Sequence, residues 1–140
     1  MSRKALAPLL AALMGLAVVA PASAHRAAAS GKVLMSRTSA PGTNSVYLAS
    51  SLAPHHWYRI DITTAKKAKF SGSAFEEYVY IYQHHMGTGT HNFSLLGTAP
   101  HSLTVSQPVK YSIDTWQLVI DVGALTHTSI TVKLVDLGKH

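Results

Sequence analysis

The sequence predicts an all-β fold, a small antiparallel β-sandwich or a partly open barrel. From residue 45 onward, short apolar or alternating runs recur at intervals of about ten residues, and turn-forming residues separate them. No long apolar stripe with helical periodicity competes with this pattern. The 140-residue chain has no cysteine, so sheet packing rather than disulfide bonds must stabilise the fold.

The first 24 residues have the pattern of a secretory signal peptide. Arg3 and Lys4 precede an apolar run from Ala5 to Ala20, and Ala22 and Ala24 are small residues at the third and first positions before a cut. The run is shorter than the roughly 20 residues that a membrane-spanning helix needs. We therefore expect cleavage after Ala24, a secreted or periplasmic protein, and no transmembrane segment in its mature form.

Residues 25–44 have the composition of a flexible leader, rich in Ala, Ser, Thr and Gly. Within this segment Val33, Leu34 and Met35 form the one run that predicts a strand, and we expect it at a sheet edge. Residues 45–140 are then predicted to form a single all-β domain, because the remaining chain is too short for two.

Two later runs give the clearest strand predictions. Between Trp116 and Val122 the apolar residues alternate with others, so that Trp116, Leu118 and Ile120 share one face and are expected in the core. Residues Ile130 to Val135 alternate in the same way, and the short link between the two runs predicts a β-hairpin.

The run Tyr58 to Ile62 also predicts a strand, with its apolar side chains inward and Trp57, Arg59 and Asp61 outward. An exposed tryptophan next to two histidines is a candidate ligand contact. Trp57 is therefore the first residue of the predicted binding surface.

The run Glu76 to Tyr82 places Tyr78, Tyr80 and Tyr82 on one face of a strand. This pattern has two interpretations. The strand is either central, with tyrosines chosen for their β propensity, or it carries an aromatic platform that stacks on sugar rings or on a partner surface.

Histidine is unusually frequent: the chain has nine, all after residue 24. The densest group, His84, His85, Met86 and His91, is predicted to lie in a glycine-containing loop. Imidazole and thioether ligands together favour copper, and we expect no other cofactor. The alternative is a solvated polar loop without a metal.

Several function classes are not supported by any motif. The carboxylates show no spacing typical of an acid/base pair, no Gly-x-Ser-x-Gly elbow occurs, and no phosphate-binding glycine loop opens a helix. The net charge is +6, but the cations are scattered apart from Lys66, Lys67 and Lys69, for which a solvated hairpin tip is the simpler explanation. We therefore expect neither an enzyme nor a nucleic-acid-binding protein.

A family resemblance rests on the spacing of several short segments. These are Tyr47-Leu48 with Leu52, Tyr58 to Ile62, Val79 to Tyr82, Leu95-Leu96-Gly97, and Gln107-Pro108-Val109 followed by Trp116 to Gly123. Over Tyr47 to Leu137 the chain resembles an uncharacterised family of small bacterial β domains that occur alone or joined to TIR domains. The resemblance implies a compact antiparallel β fold with a binding or sensing role, and no catalytic residues.

The function predicted from these observations is that of an exported, non-enzymatic binding module. It would engage a protein or an envelope glycan through an aromatic and histidine-lined surface that contains Trp57, Tyr78, Tyr80 and Tyr82. The alternatives are a periplasmic copper-binding protein that uses the His84 to His91 segment, and a small hydrolase whose site has no recognisable motif. The sequence leaves the oligomeric state open.

Overall fold

The structure, a computed structural model, describes residues 31–40 and 42–139. The predicted signal peptide and the first residues of the predicted leader lie outside this range. The described residues form eight strands: β1 (Lys32–Thr38), β2 (Ser45–Ser51), β3 (His56–Thr64), β4 (Lys69–Tyr82), β5 (His85–Thr98), β6 (His101–Val105), β7 (Ser112–Ala124) and β8 (Ile130–Lys139).

The strands form two four-stranded sheets with the orders β1-β8-β3-β6 and β2-β7-β4-β5. Every pairing is antiparallel. The predicted all-β sandwich is therefore confirmed, and the two sheets pack together without closing into a barrel. The described residues contain no helix, and so none that could cross a membrane.

The core lies between the sheets and follows the alternation of the sequence. Trp116, Leu118 and Ile120 of β7 are buried as predicted, and Ile60 of β3 faces them from the other sheet. The ring of Tyr58 meets Trp116 edge-on, with 5.5 Å between the ring centroids. Trp116 is thus a core anchor that touches both layers.

The predicted hairpin between β7 and β8 is wrong. β7 pairs with β2 and β4, whereas β8 pairs with β1 and β3 in the opposite sheet. The link between them crosses from one sheet to the other, and backbone hydrogen bonds from Leu125 N–H to Lys69 and from Ala65 N–H to Ser129 hold its two ends. Alternation identifies the buried face of a strand but not its partner.

Strand β1 is the edge strand that the Val33, Leu34 and Met35 run predicted. It is longer than that run, and it pairs with β8 from Lys32–Asp136 to Thr38–Thr131. The described sandwich thus begins at Lys32, within the segment predicted to be a leader and before the predicted domain start at residue 45.

Strands β4 and β5 form a long hairpin that pairs from Lys69–Thr98 to Tyr82–His85. Its two turn residues, Gln83 and His84, both have positive φ, at 47° and 65°, which is the geometry of a type I′ hairpin turn. The loop predicted from His84 to His91 is therefore wrong, because the strand resumes at His85.

Candidate functional site

Four tyrosine rings form a continuous row on the inner face of the β4–β5 hairpin. The ring centroids are 6.2 Å apart between Tyr78 and Tyr80, 5.6 Å between Tyr80 and Tyr111, and 4.6 Å between Tyr111 and Tyr82. We call these four residues the tyrosine row. Exposure increases along it, from the half-buried Tyr78 and Tyr80 to the exposed Tyr82 and Tyr111.

Two glycines of the edge strand β5 form the floor beneath half of the row. Gly89 pairs with Tyr78 and Gly87 with Tyr80, and a Cβ atom at either glycine would collide with the ring of its partner. The rings therefore lean across the neighbouring backbone, as aromatic side chains do over glycines at a sheet edge. The glycines thus leave room for the rings of Tyr78 and Tyr80, and neighbouring rings of the row are tilted to one another by 43°, 33° and 47°.

Tyr111, which no sequence pattern singles out, completes the row from outside the hairpin. It precedes β7, and the side chain of Gln107 holds its segment in place. The Gln107 amide donates to the carbonyl oxygens of Val109 and Tyr111, and its own oxygen accepts from His55 N–H. No local pattern predicts this position, because its contacts depend on the tertiary fold.

An open cleft of about 550 Å³ begins at Tyr78, the buried end of the row. The edge strands of both sheets, β5 and β6, contribute to its walls, together with the segment Ser106–Pro108 that follows β6. Its volume is in the range of small-ligand sites. The remaining lining side chains combine apolar groups with hydroxyl groups, namely Phe93, Leu103, Thr90, Ser94 and Thr104.

Glu76 lies at the floor of this cleft and is almost fully buried, with 1% of its surface exposed. The Trp116 indole N–H donates to Glu76 Oε1 at 3.1 Å, and His91 Nδ1 lies 3.1 Å from Glu76 Oε2. Burial raises the pKa of Glu76, and the hydrogen bonds from His91 and Trp116 oppose this effect. A buried carboxylate between an indole and an imidazole is thus the most unusual group of the site.

His91 pairs with Glu76 across the hairpin, and its side chain is 59% exposed. Its ring tilts against Phe93 with 5.3 Å between the centroids. Because Nδ1 faces Glu76, Nε2 is the ring nitrogen that remains for a ligand in the cleft.

The structure does not bring the predicted metal ligands together. His84 lies in the turn, His85 pairs with Tyr82, and Met86 follows with its side chain on the opposite face of the strand. His91 lies six residues beyond His85 along extended β5, which corresponds to about 20 Å. Among the described residues no group of three His, Cys, Asp or Glu could hold a metal ion.

Trp57, the fourth predicted contact, faces outward as predicted but lies apart from the tyrosine row. It lines a separate groove of about 460 Å³ with His55, Val109 and Lys110. The segment Ser106–Pro108 contributes to both this groove and the cleft, so it forms a wall shared by the two. The predicted surface is therefore divided into two parts.

A second carboxylate–histidine pair lies next to Trp57. His56 Nδ1 is 2.8 and 2.9 Å from the two carboxylate oxygens of Asp136, and Gly138 N–H donates to the same carboxylate at 2.7 Å. Partial burial acts to raise the pKa of Asp136, but the hydrogen bonds from Gly138 and His56 outweigh it and lower the pKa. This pair stabilises the start of β3 and the end of β8.

Comparison of the chain with protein-family models, with curated proteins and with solved structures finds no match. The resemblance to the small β domains that occur with TIR domains therefore stays a prediction. What the site can bind must be argued from its own geometry.

Proposed function

We propose that the protein is a glycan-binding module that holds a sugar chain along the tyrosine row, with one end of the chain in the cleft. The observation that carries this proposal is the row itself. Its ring centroids follow one another at 4.6 to 6.2 Å over a floor of glycines. A sugar ring has an apolar C–H face that stacks on an aromatic ring, and a row of rings suits a chain of sugars.

The lining of the cleft supports the same ligand class. Its lining includes hydroxyl and amide side chains as well as the apolar Phe93 and Leu103. A sugar has hydroxyl groups at its rim and C–H groups on its faces, so both kinds of side chain would find a partner on it. Protein-binding hot spots lie in tightly packed, desolvated pockets, whereas the cleft is open and Tyr82 and Tyr111 are exposed. Of the two ligand classes that the sequence left open, we therefore favour a glycan over a protein.

A location outside the cytoplasm is part of this proposal. It follows from the signal peptide predicted in residues 1–24, and it would give the module access to envelope or extracellular polysaccharides. The copper-binding alternative has less support, because extended β5 separates His85 from His91.

The test is a binding measurement with defined polysaccharides. Insoluble cellulose, chitin and peptidoglycan are used in pull-down assays, and soluble oligosaccharides of increasing length in calorimetry. Tyr80→Ala and Tyr111→Ala should each weaken binding about five- to tenfold, since loss of one stacked ring costs about 1–1.4 kcal/mol. Tyr47→Ala is the matched control, because Tyr47 is 65% exposed on β2, outside the row.

Two results would contradict the proposal. The first is that none of these glycans binds, in which case a protein partner becomes the better hypothesis. The second is that Tyr47→Ala weakens binding as much as Tyr80→Ala does, because the row would then have no special role.

A further inference from the structure

The tyrosine row does not explain why a carboxylate lies buried beneath the cleft. Burying an ionisable group costs several kcal/mol unless hydrogen bonds and a partner charge offset it. Glu76 has two such partners, yet an apolar residue at this inner-face position would continue the pattern of Phe70 and Ala74 without that cost. Core packing alone therefore does not explain a carboxylate at this position, and the alternative is a chemical role that a carboxylate can fill.

The geometry of the pair defines what it can do. In its ionised form Glu76 only accepts hydrogen bonds, so in that form the hydrogen between Glu76 and His91 belongs to Nδ1 of the imidazole. The other ring nitrogen, Nε2, then carries a lone pair on the part of the ring that Glu76 leaves open to the cleft. A buried carboxylate that fixes the tautomer and the orientation of a partly exposed histidine is the arrangement used in general-base catalysis.

We propose that His91 is a general base in the cleft, that Glu76 is its positioning residue, and that the substrate is an acyl ester on a sugar hydroxyl, such as an O-acetylated glycan. The choice of a glycan ester rests on the proposed function. Burial raises the pKa of Glu76, and the hydrogen bonds from His91 and Trp116 act in the opposite direction and favour the ionised form that the positioning role requires.

The reaction is hydrolysis and needs no cofactor. Nε2 of His91 takes a proton from a water molecule while the water oxygen bonds to the ester carbonyl carbon and the carbonyl π electrons move to its oxygen. The tetrahedral intermediate then collapses, the bond from carbon to the sugar oxygen breaks, and the imidazolium returns the proton to that oxygen. The products are a carboxylic acid and a free sugar hydroxyl, and the Glu76 carboxylate stabilises the imidazolium between the two steps.

The cleft favours ester cleavage by water over two related reactions. Glycosidic cleavage uses a pair of carboxylates, and Glu76 is the one carboxylate among the described residues that line the cleft. Serine and threonine side chains also line it, but in the described part of the chain the side-chain hydrogen bond of His91 runs to Glu76 rather than to a hydroxyl. Water is therefore the proposed nucleophile.

The experiment measures acetate release from O-acetylated xylo-oligosaccharides and O-acetylated peptidoglycan. His91→Ala should lower the rate about 100-fold or more, the usual effect of removing a general base, and His91→Gly should recover part of it when imidazole is added. His127→Ala is the matched control, because His127 is an exposed histidine in the link between β7 and β8, away from the cleft. It should keep the full rate.

Glu76→Gln tests the positioning role without removing a hydrogen bond. The amide oxygen of this variant can accept from Trp116, and its amide nitrogen can donate to Nδ1 if the His91 hydrogen moves to Nε2. In that tautomer Nε2 carries the hydrogen, so the imidazole has no lone pair in the cleft to accept a proton from water. We expect kcat to fall at unchanged KM and the pH profile of kcat to change, neither of which follows from a purely structural role.

The outcomes separate this proposal from glycan binding. If Tyr80→Ala weakens binding while His91→Ala still binds the esters but releases acetate about 100-fold more slowly, both proposals hold. If wild-type protein binds these esters and releases no acetate, or if His91→Ala keeps the wild-type rate, the catalytic proposal is wrong and the binding proposal stands. Because His91 is exposed, its variants remain informative even if Glu76→Gln does not fold.

Discussion

The two halves of β4 share one inner face but have opposite surroundings. Phe70, Ala74 and Glu76 are buried against the opposite sheet, whereas Tyr80 is half-buried and Tyr82 is 48% exposed. The alternation of side chains is the same in both halves. What differs is the cover: the first half is part of the core, and the inner face of the second half is open.

Glu76 and Tyr78 lie at the boundary between these halves. Glu76 is buried among core residues, and its carboxylate is hydrogen-bonded to His91 in the cleft. Tyr78 lines the cleft and is the first ring of the tyrosine row. The comparison therefore predicts that substitutions on the covered half change stability and that substitutions on the open half change binding.

The largest effect is expected at Trp116, which packs against the covered half. Trp116→Ala should reduce the free energy of unfolding by about 3–5 kcal/mol, because it removes a fully buried aromatic ring and leaves Glu76 without its indole donor. Tyr82→Ala, on the open half, should cost less than about 1 kcal/mol. Urea unfolding of both variants measures the difference, and equal losses would contradict the division of β4.

An intermediate effect is expected from Glu76→Gln on the pH dependence of stability. Since burial raises the pKa of Glu76, the folded state holds its proton more tightly than the unfolded state. The stability from this group is complete below the ordinary carboxyl pKa and is lost as pH rises through the folded-state pKa. Melting temperatures from pH 4 to pH 8 should therefore fall in the wild type relative to Glu76→Gln.

Asp136→Asn provides the opposite sign when the melting temperatures are also measured below pH 4, because the pKa of Asp136 lies below the ordinary carboxyl value. The pKa of Asp136 is lowered, so its contribution is present above the ordinary carboxyl pKa and is lost as pH falls through the lowered value. The wild type should thus lose stability relative to Asp136→Asn on acidification. If both variants showed the same sign, the contrast between the two carboxylate–histidine pairs would be wrong.

The smallest effect on stability, with a clear effect on binding, is expected at Gly87. In Gly87→Ala the new methyl group would collide with the ring of Tyr80, so the ring must move out of the row. We expect glycan affinity to fall about tenfold, with a stability change below about 1 kcal/mol. Thr88→Ala is the control, since Thr88 is the next residue of β5 and faces the other side. Unchanged affinity in Gly87→Ala would show that the position of the Tyr80 ring in the row is not required.

The sequence predicted the parts of the fold that depend on alternation within one strand. The buried face of β7, the outward direction of Trp57 and the tyrosines on one face of β4 were all readable from spacing. The pairing of β7 was not, because β8 has an equally apolar face and the short link allowed either a hairpin or a crossing between sheets.

The site was predictable only in part. The predicted tyrosines form most of the row, but the glycines were interpreted as loop residues, although Gly87 and Gly89 alternate in phase with the tyrosines across a two-residue turn. Glu76 has the same phase as Ala74 and Tyr78, and this is a signal from which its inward direction could have been predicted. Its partner Trp116 is 40 residues away, a contact that spacing alone does not predict.

The two tryptophans of the chain occupy different environments, and this gives the protein built-in fluorescent reporters. Trp116 is buried with its indole N–H on Glu76, so its emission should respond to ionisation of that carboxylate. Trp57 is 40% exposed in the neighbouring groove, where the segment Ser106–Pro108 separates it from the cleft. In a Trp57→Phe variant the emission comes from Trp116 and would report protonation of Glu76 beneath the cleft. In a Trp116→Phe variant it comes from Trp57 and would report movement of the shared wall. Neither measurement needs a label.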